Sequence, residues 1–238
     1  MYFTYTEYKK LIENLNLHGY NIASYYNWDK YDKSVILRHD IDYCIDKAVA
    51  MAKLEYEIGI SSTYFVLITS DFYNVFSKEN LAKLKSIIAL GHEIGLHFDE
   101  TCYDDLSDIS GLILDEKSIL EHAIGHEVRV VSMHRPSKDI LEKHIEVKGM
   151  INSYSNLFFE EFKYLSDSRR RWREPVNDII ASEEYKRLHI LTHAFWYNEV
   201  EETLHDSVVR FIEKANDDRR YFVSQNITDL QSILDNKG

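Results

Sequence analysis

Glycine, proline and cysteine are all scarce in this chain of 238 residues, which contains eight, two and two of them. So few glycines and prolines exclude a collagen-like, linker-like or disordered protein. The two cysteines, Cys44 and Cys102, cannot form a disulfide framework, so we expect the protein in a reducing compartment. The remaining composition, 45% hydrophobic and 29% charged residues, is typical of an ordinary globular domain.

Basic residues are also in deficit, because 28 Lys and Arg face 40 Asp and Glu, which leaves a net charge of −12 with neutral His. This charge repels nucleic acid and anionic membranes, so we expect neither as a partner. No stretch approaches the ~18 apolar residues of a membrane span. The N-terminal segment lacks the basic start and apolar run of a signal peptide. The sequence therefore predicts a cytoplasmic protein without membrane insertion, and it does not indicate the oligomeric state.

Short β-type runs alternate with amphipathic helical patterns along the chain. The runs are apolar on both faces, as buried parallel strands are, and the alternation favours right-handed βαβ units. Seven or eight such units predict an α/β fold, a distorted (β/α)7–8 barrel. We expect one domain over residues 1–238, with a helical N-terminal extension over residues 1–30. The predicted strands are 35–40, 62–69, 93–98, 128–134, 150–154, 163–166, 188–195 and 220–225.

Histidine and aspartate stand where several of these runs end. Asp40 and Asp42 close the first run, His97 the third, His134 the fourth and His193 the seventh. The carboxyl ends of the strands meet on one face of a (β/α) barrel, so we expect these side chains to converge. Asp and His without a Cys cluster suit a catalytic divalent ion. The sequence therefore predicts Zn²⁺, with Co²⁺, Ni²⁺ or Mn²⁺ as alternatives.

Five segments resemble the motifs of the polysaccharide deacetylases, carbohydrate esterase family 4. The family's Gly-His-Glu-Ile-Gly-Asn-His stretch is matched, with one substitution, by Gly91-His92-Glu93-Ile94-Gly95-Leu96-His97. The matches follow the family's order over residues 35–197 and are most similar to a cytoplasmic branch linked to surface-polysaccharide biosynthesis. The other matches are Leu37-Arg38-His39-Asp40-Ile41-Asp42 to Thr-Phe-Asp-Asp-Gly, Met133-His134-Arg135-Pro136 to Arg-x-Pro, Asp167 with Trp172 to the Asp/Trp motif, and Leu191-Thr192-His193 to Leu-x-His-Pro.

This resemblance implies a distorted (β/α) barrel that binds a divalent metal and removes acetyl or other acyl groups from N-acylated sugars. The family's metal triad is one Asp and two His, with the second His four positions after the first. Here that position is Thr101, so a different side chain must complete the triad. His134 is the first choice because it ends the next predicted strand, and Asp99 and Glu100 are its rivals.

The resemblance also implies roles for the individual residues. Asp40 is assigned as the base and Asp42 as a ligand from their order, and the reverse assignment stays open. His193 would protonate the departing amine, and Asp167 with an arginine, Arg171 or Arg135, would orient the reacting groups. The implied metal ligands are Asp42, His97 and His134, the catalytic residues are Asp40, His193, Asp167 and Arg171, and the substrate contacts are Arg135, Trp172 and Trp196.

Residues 169–173, Arg-Arg-Arg-Trp-Arg, form the one concentrated run of positive charge in the sequence. The run is either a solvated loop or an anion clamp, because guanidinium groups bind phosphate through paired hydrogen bonds. We therefore expect a small sugar, or a sugar linked to a nucleotide or lipid, as the partner. The alternatives are a metal-dependent C–N hydrolase of a non-sugar amide and a degenerate barrel that binds glycan or a partner without turnover.

Overall fold

The structure is a computed structural model that describes residues 1–235 in two compact units, residues 1–199 and the residues from Val200 onward. Several helices begin at a Ser, Thr or Asp whose side chain accepts a hydrogen bond from a backbone N–H of the first turn. The strands are β1 (Asn21–Ala23), β2 (Ser34–Ile41), β3 (Thr63–Val66), β4 (Glu93–Phe98), β5 (Val130–Met133), β6 (Ile151–Asn152), β7 (Lys163–Ser166) and β8 (Arg187–Thr192). The helices are α1 (Tyr5–Leu17), α2 (Ile45–Glu57), α3 (Lys78–Ala89), α4 (Ile109–Ile124), α5 (Lys138–Glu142), α6 (Asn156–Glu160), α7 (Val176–Ser182), α8 (Leu204–Ser224) and α9 (Leu230–Asp235).

The strands form one parallel sheet in the order β6-β5-β4-β3-β2-β8-β7, with β1 paired to β2. All eight residues of β2 are buried, as expected for a central strand that is covered on both faces. Helices join successive strands, which is the connection that parallel neighbours require. The predicted α/β class with a parallel sheet is confirmed.

The sheet is strongly curled. In a flat sheet β2 and β5, three strand positions apart, would be separated by about 14 Å. Instead, Arg38 of β2 donates hydrogen bonds to the hydroxyl groups of Ser132 in β5 and Ser153 after β6. Inward side chains from several strands also share one apolar cluster, which confirms the predicted distorted barrel. The buried members of that cluster are Tyr25, Ile36, Phe65, Val130, Phe158 and Phe162.

One predicted strand is wrong. The predicted strand at 220–225 lies within α8 and just beyond its end, because a short apolar run cannot be told from a turn of helix by periodicity alone. The extension over residues 1–30 contains α1, the strand Asn21–Ala23, which pairs with β2, and a 3₁₀ turn at Trp28–Lys30. All described strands therefore lie in residues 1–199. None of the described helices has the length and apolar character to cross a membrane.

A buried hydrogen-bond network connects α1 and α2 to the outer face of the sheet. Glu55 of α2 accepts hydrogen bonds from the hydroxyl groups of Tyr8 at 2.5 Å, Ser62 at 2.6 Å and Tyr64 at 2.7 Å. Its Oε1 also lies 3.0 Å from His39 Nε2. Burial alone would raise the pKa of Glu55, but His39 and the hydrogen bonds outweigh burial and lower this pKa to about 2. His39 therefore serves the fold and faces away from the barrel interior.

Candidate active site

Asp42, His97 and His134 each direct one ligand atom toward the same point at the carboxyl ends of β2, β4 and β5. His97 Nε2 lies 3.0 Å from His134 Nδ1. Asp42 Oδ1 lies 3.4 Å from His97 Nε2 and 3.5 Å from His134 Nδ1. Both histidines are buried and Asp42 is half-buried. The curled sheet thus brings together three residues that are far apart in sequence.

These separations fit a small divalent cation. Three ligands in a tetrahedral set around Zn²⁺, with bonds of about 2.0–2.1 Å, lie about 3.3 Å from one another. His97 Nδ1 lies 3.3 Å from the Ser132 carbonyl oxygen, which accepts its proton and leaves the Nε2 lone pair toward the centre. Asp42 Oδ1 is buried and has no hydrogen-bond partner among the described residues. A cation would satisfy both atoms, so the donor set fits the predicted metal.

Of the three candidates for the third ligand, His134 is the one that lies beside Asp42 and His97. Asp99 Oδ1 accepts hydrogen bonds from the N–H of Thr101 at 3.0 Å and from its hydroxyl group at 2.7 Å. Glu100 Oε1 accepts a hydrogen bond of 2.6 Å from the N–H of Ser137, which precedes α5. Both carboxylates therefore serve local backbone structure.

Asp40 lies beside the three ligands, with its Oδ2 3.6 Å from His97 Nε2. The fully buried Arg38 donates to both Asp40 oxygens over 2.7–3.2 Å. Burial raises the pKa of Asp40, but Arg38, His97 and His193 together outweigh burial and the pKa is lowered. The sequence analysis assigned Arg38 no role, and the predicted roles of Arg171 and Arg135 beside Asp167 stay predictions. Arg38 was detectable, because residues two apart on a strand face the same way.

His193 also lies beside the ligands, with its Nε2 3.7 Å from Asp42 Oδ2. The fully buried carboxylate of Asp167 accepts hydrogen bonds from His193 Nδ1 at 2.6 Å and from the His193 backbone N–H at 3.0 Å. Burial by itself would lower the pKa of His193, but Asp167, together with Asp42 and Asp40, outweighs burial and raises this pKa to about 9. The ring is therefore held with Nε2 toward the centre.

The remaining predicted site residues lie around this centre in different environments. Arg135 and Arg171 are exposed in the turns that follow β5 and β7. Trp172 is half-buried in the second of these turns. Trp196 is only 5% exposed and packs against Tyr43, so its ring faces are largely covered. Substrate contacts by Arg135, Trp172 and Trp196 stay predictions.

Comparison with known proteins gives no matching family model and no matching curated protein. Solved structures do match in fold. Several of them are proteins of carbohydrate esterase family 4. A mutant of BA3943, a family pseudoenzyme from Bacillus anthracis, with restored enzymatic activity, is 15% identical over 79% of this chain, with a TM-score of 0.42. This chain spans 64% of the length of that protein.

Two further structures give the same level of similarity. The polysaccharide deacetylase Bc1974 from Bacillus cereus is 17% identical, with a TM-score of 0.44, over 79% of this chain and 88% of its own. A family 4 acetyl xylan esterase from Clostridium thermocellum, solved with a cobalt ion, is 14% identical, with a TM-score of 0.39. That match covers 77% of this chain and 83% of the esterase.

Proposed function

We propose that this protein is a divalent-metal-dependent deacylase that hydrolyses the acyl–nitrogen bond of an N-acylated sugar. The observation that carries the proposal is the placement of Asp40 and His193 beside the ligand set, 3.6 Å from His97 and 3.7 Å from Asp42. Amide hydrolysis needs a base for the attacking water and an acid for the departing amine, next to a group that polarises the carbonyl. This site provides a carboxylate, an imidazole and three metal ligands for these tasks.

The ligands Asp42, His97 and His134 would hold the ion. The chemistry that such an ion supplies is Lewis-acid polarisation of the acyl carbonyl and of the attacking water. Zn²⁺ is the first choice for this donor set, because imidazole and carboxylate are ligands it accepts in catalytic sites. The motif resemblance described above supports the same activity.

The chain's own residues carry the proton transfers. Asp40 accepts a proton from water as the water oxygen bonds to the acyl carbon, and Arg38 holds the carboxylate in place. His193 Nε2 then donates a proton to the leaving nitrogen as the carbon–nitrogen bond breaks. Asp167 holds the opposite ring nitrogen throughout, which directs Nε2 toward the leaving group. The products are a carboxylic acid and a free amino sugar.

The proposal extends to a cytoplasmic role in cell-surface polysaccharide biosynthesis, on a sugar linked to a nucleotide or a lipid diphosphate. What supports this setting is the basic run that follows Asp167. Arg169, Arg171 and Arg173 are exposed in an otherwise acidic chain. Guanidinium groups bind phosphate oxygens in pairs, so these side chains suit a diphosphate. Arg169→Ala with Arg171→Ala should raise KM for a sugar nucleotide, and an unchanged KM would remove this part of the proposal.

The test measures metal content and acetate release on zinc-loaded protein, with UDP-N-acetylglucosamine and an N-acetylated lipid-linked sugar as substrates. Asp40→Asn should keep one metal ion per chain and lower kcat by roughly 10²–10⁴-fold. Asp42→Asn should lose the metal. Asp46→Asn is the matched control, because Asp46 is exposed in the first turn of α2. Metal loss in Asp40→Asn alone would exchange the two roles.

Three outcomes would change the proposed function. Full activity in Asp40→Asn would exclude Asp40 as the base. Acetate release from a non-sugar amide, but from no sugar, would indicate a different C–N hydrolase. A folded protein that binds no metal and releases no acetate would be a binding barrel rather than an enzyme.

A further inference from the structure

Four aromatic side chains, from here on the aromatic wall, lie in contact at the carboxyl ends of β2, β3 and β8. Tyr43 stacks on Phe195, with ring centroids 4.5 Å apart and an interplanar angle of 29°. Phe72 tilts against the same Tyr43 ring at 5.4 Å. Trp196 packs edge-on against Phe195 at 4.9 Å and lies 5.7 Å from Tyr43. Three separate chain segments thus build one continuous apolar surface.

Short stretches of chain connect the aromatic wall to the candidate active site. Tyr43 follows Asp42 directly, and Phe195 is two residues beyond His193. Asp42 Oδ2 and His193 Nε2 face each other at 3.7 Å. Consecutive Cα atoms lie about 3.8 Å apart, so the Cα atoms of Tyr43 and Phe195 lie within about 8 Å of those of Asp42 and His193.

The wall passes from buried to exposed along its length. Trp196 and Phe195 are 5% and 7% exposed, whereas Phe72 is 55% exposed. The loop that carries Phe72 is anchored, because the hydroxyl group of Tyr73 donates to the Ile41 carbonyl at 2.7 Å. The same hydroxyl group accepts a hydrogen bond of 3.0 Å from the N–H of Leu67. The exposed ring is thus held against the end of β2 by the residue beside it.

We propose that the aromatic wall binds the apolar face of a pyranose ring of the substrate, with Phe72 as its exposed contact. This proposal rests on the proposed function. The C–H bonds on one face of a pyranose carry partial positive charge, and an aromatic ring presents a negative face that attracts them. Stacking on Phe72 positions the sugar so that its acyl group reaches the centre. The wall therefore distinguishes a cyclic sugar amide from an acyclic one.

The test is calorimetric titration with tetra-N-acetylchitotetraose, in an Asp40→Asn background that prevents turnover. Phe72→Ala should raise Kd roughly 3- to 10-fold, the range expected for one aromatic contact. Phe72→Trp should restore binding, since any large aromatic face serves. Phe76→Ala is the matched control, because Phe76 lies on the same loop and is 53% exposed. Equal Kd values for Phe72→Ala and Phe76→Ala, or no binding by the parent protein, would overturn the proposal.

A second measurement separates the wall from the hydrolytic function. In the otherwise unchanged protein, Phe72→Ala should lower kcat/KM for the tetrasaccharide and leave kcat/KM for N-acetylethanolamine unchanged. If both substrates release acetate and Phe72→Ala has no effect, sugar binding by the wall is refuted and the proposed hydrolysis stands. If binding depends on Phe72 but neither substrate releases acetate, sugar binding by the wall stands and the proposed hydrolysis is refuted.

Discussion

Glu55→Gln is expected to destabilise the protein strongly without touching the candidate metal ligands. The carboxylate is fully buried and accepts three hydroxyl hydrogen bonds of 2.5–2.7 Å. Its pKa is about 2 in the fold against an ordinary value of 4.5, a difference of about 2.5. At about 1.4 kcal/mol per pKa unit, the ionised form contributes about 3 kcal/mol to the free energy of unfolding at pH 7. The glutamine side chain would also point an N–H₂ donor at hydroxyl groups that now donate to Glu55, which lowers the free energy of unfolding further.

The assay is urea unfolding of both proteins at pH 7 and pH 3. Because the folded pKa is the lower one, the contribution is fully present above about pH 4.5 and is lost as pH falls through about 2. The difference between the wild type and Glu55→Gln should therefore shrink from about 3 kcal/mol at pH 7 to about half of that at pH 3. Glu57→Gln, an exposed position on the same helix, should stay within about 0.5 kcal/mol of the wild type. A difference below about 1 kcal/mol at pH 7, or one that does not change with pH, would refute this reasoning.

Three other perturbations test separate parts of the structure. His134→Ala should weaken zinc binding by more than about 100-fold in a chelator competition. The reason is that mutation of a residue that only hydrogen-bonds to a metal ligand already lowers metal affinity roughly 10–100-fold. Unchanged affinity would mean that another group completes the metal set. Burial raises the pKa of Glu116 to about 7, although the hydrogen bond from Tyr103 offsets part of this rise. The protonated carboxyl group therefore stabilises the fold at pH 4.5, and this contribution should be lost as pH rises through 7. Glu116→Gln should remove that slope in urea midpoints, and a retained slope would contradict the assignment. Gly95→Ala places a Cβ 2.5 Å from the buried Phe65 ring. This substitution should lower the free energy of unfolding by about 1–3 kcal/mol. An unchanged melting temperature would show that the Phe65 ring can move to accommodate the added methyl group.

Hydropathy periodicity predicted much of the barrel because burial on both faces leaves a local trace. The runs at 93–98 and 163–166 have the bounds of β4 and β7. Periodicity failed where an apolar run was short, as at 220–225, which is helical up to Ser224. It also missed Asn21–Ala23, a three-residue strand whose pairing with β2 depends on a distant segment.

The sequence by itself determined which titratable residues stand at strand ends, because a side chain's place along a strand is a local property. Only the tertiary structure decided which of these ends meet. The curl of the sheet brings His134 to Asp42 across two intervening strands, and it leaves Asp99 facing its own turn. It likewise brings Ser132 and Ser153 to Arg38 inside the barrel and joins the aromatic wall from three loops. Such contacts depend on how far a sheet bends, which is set by packing across the whole interior rather than by any single segment.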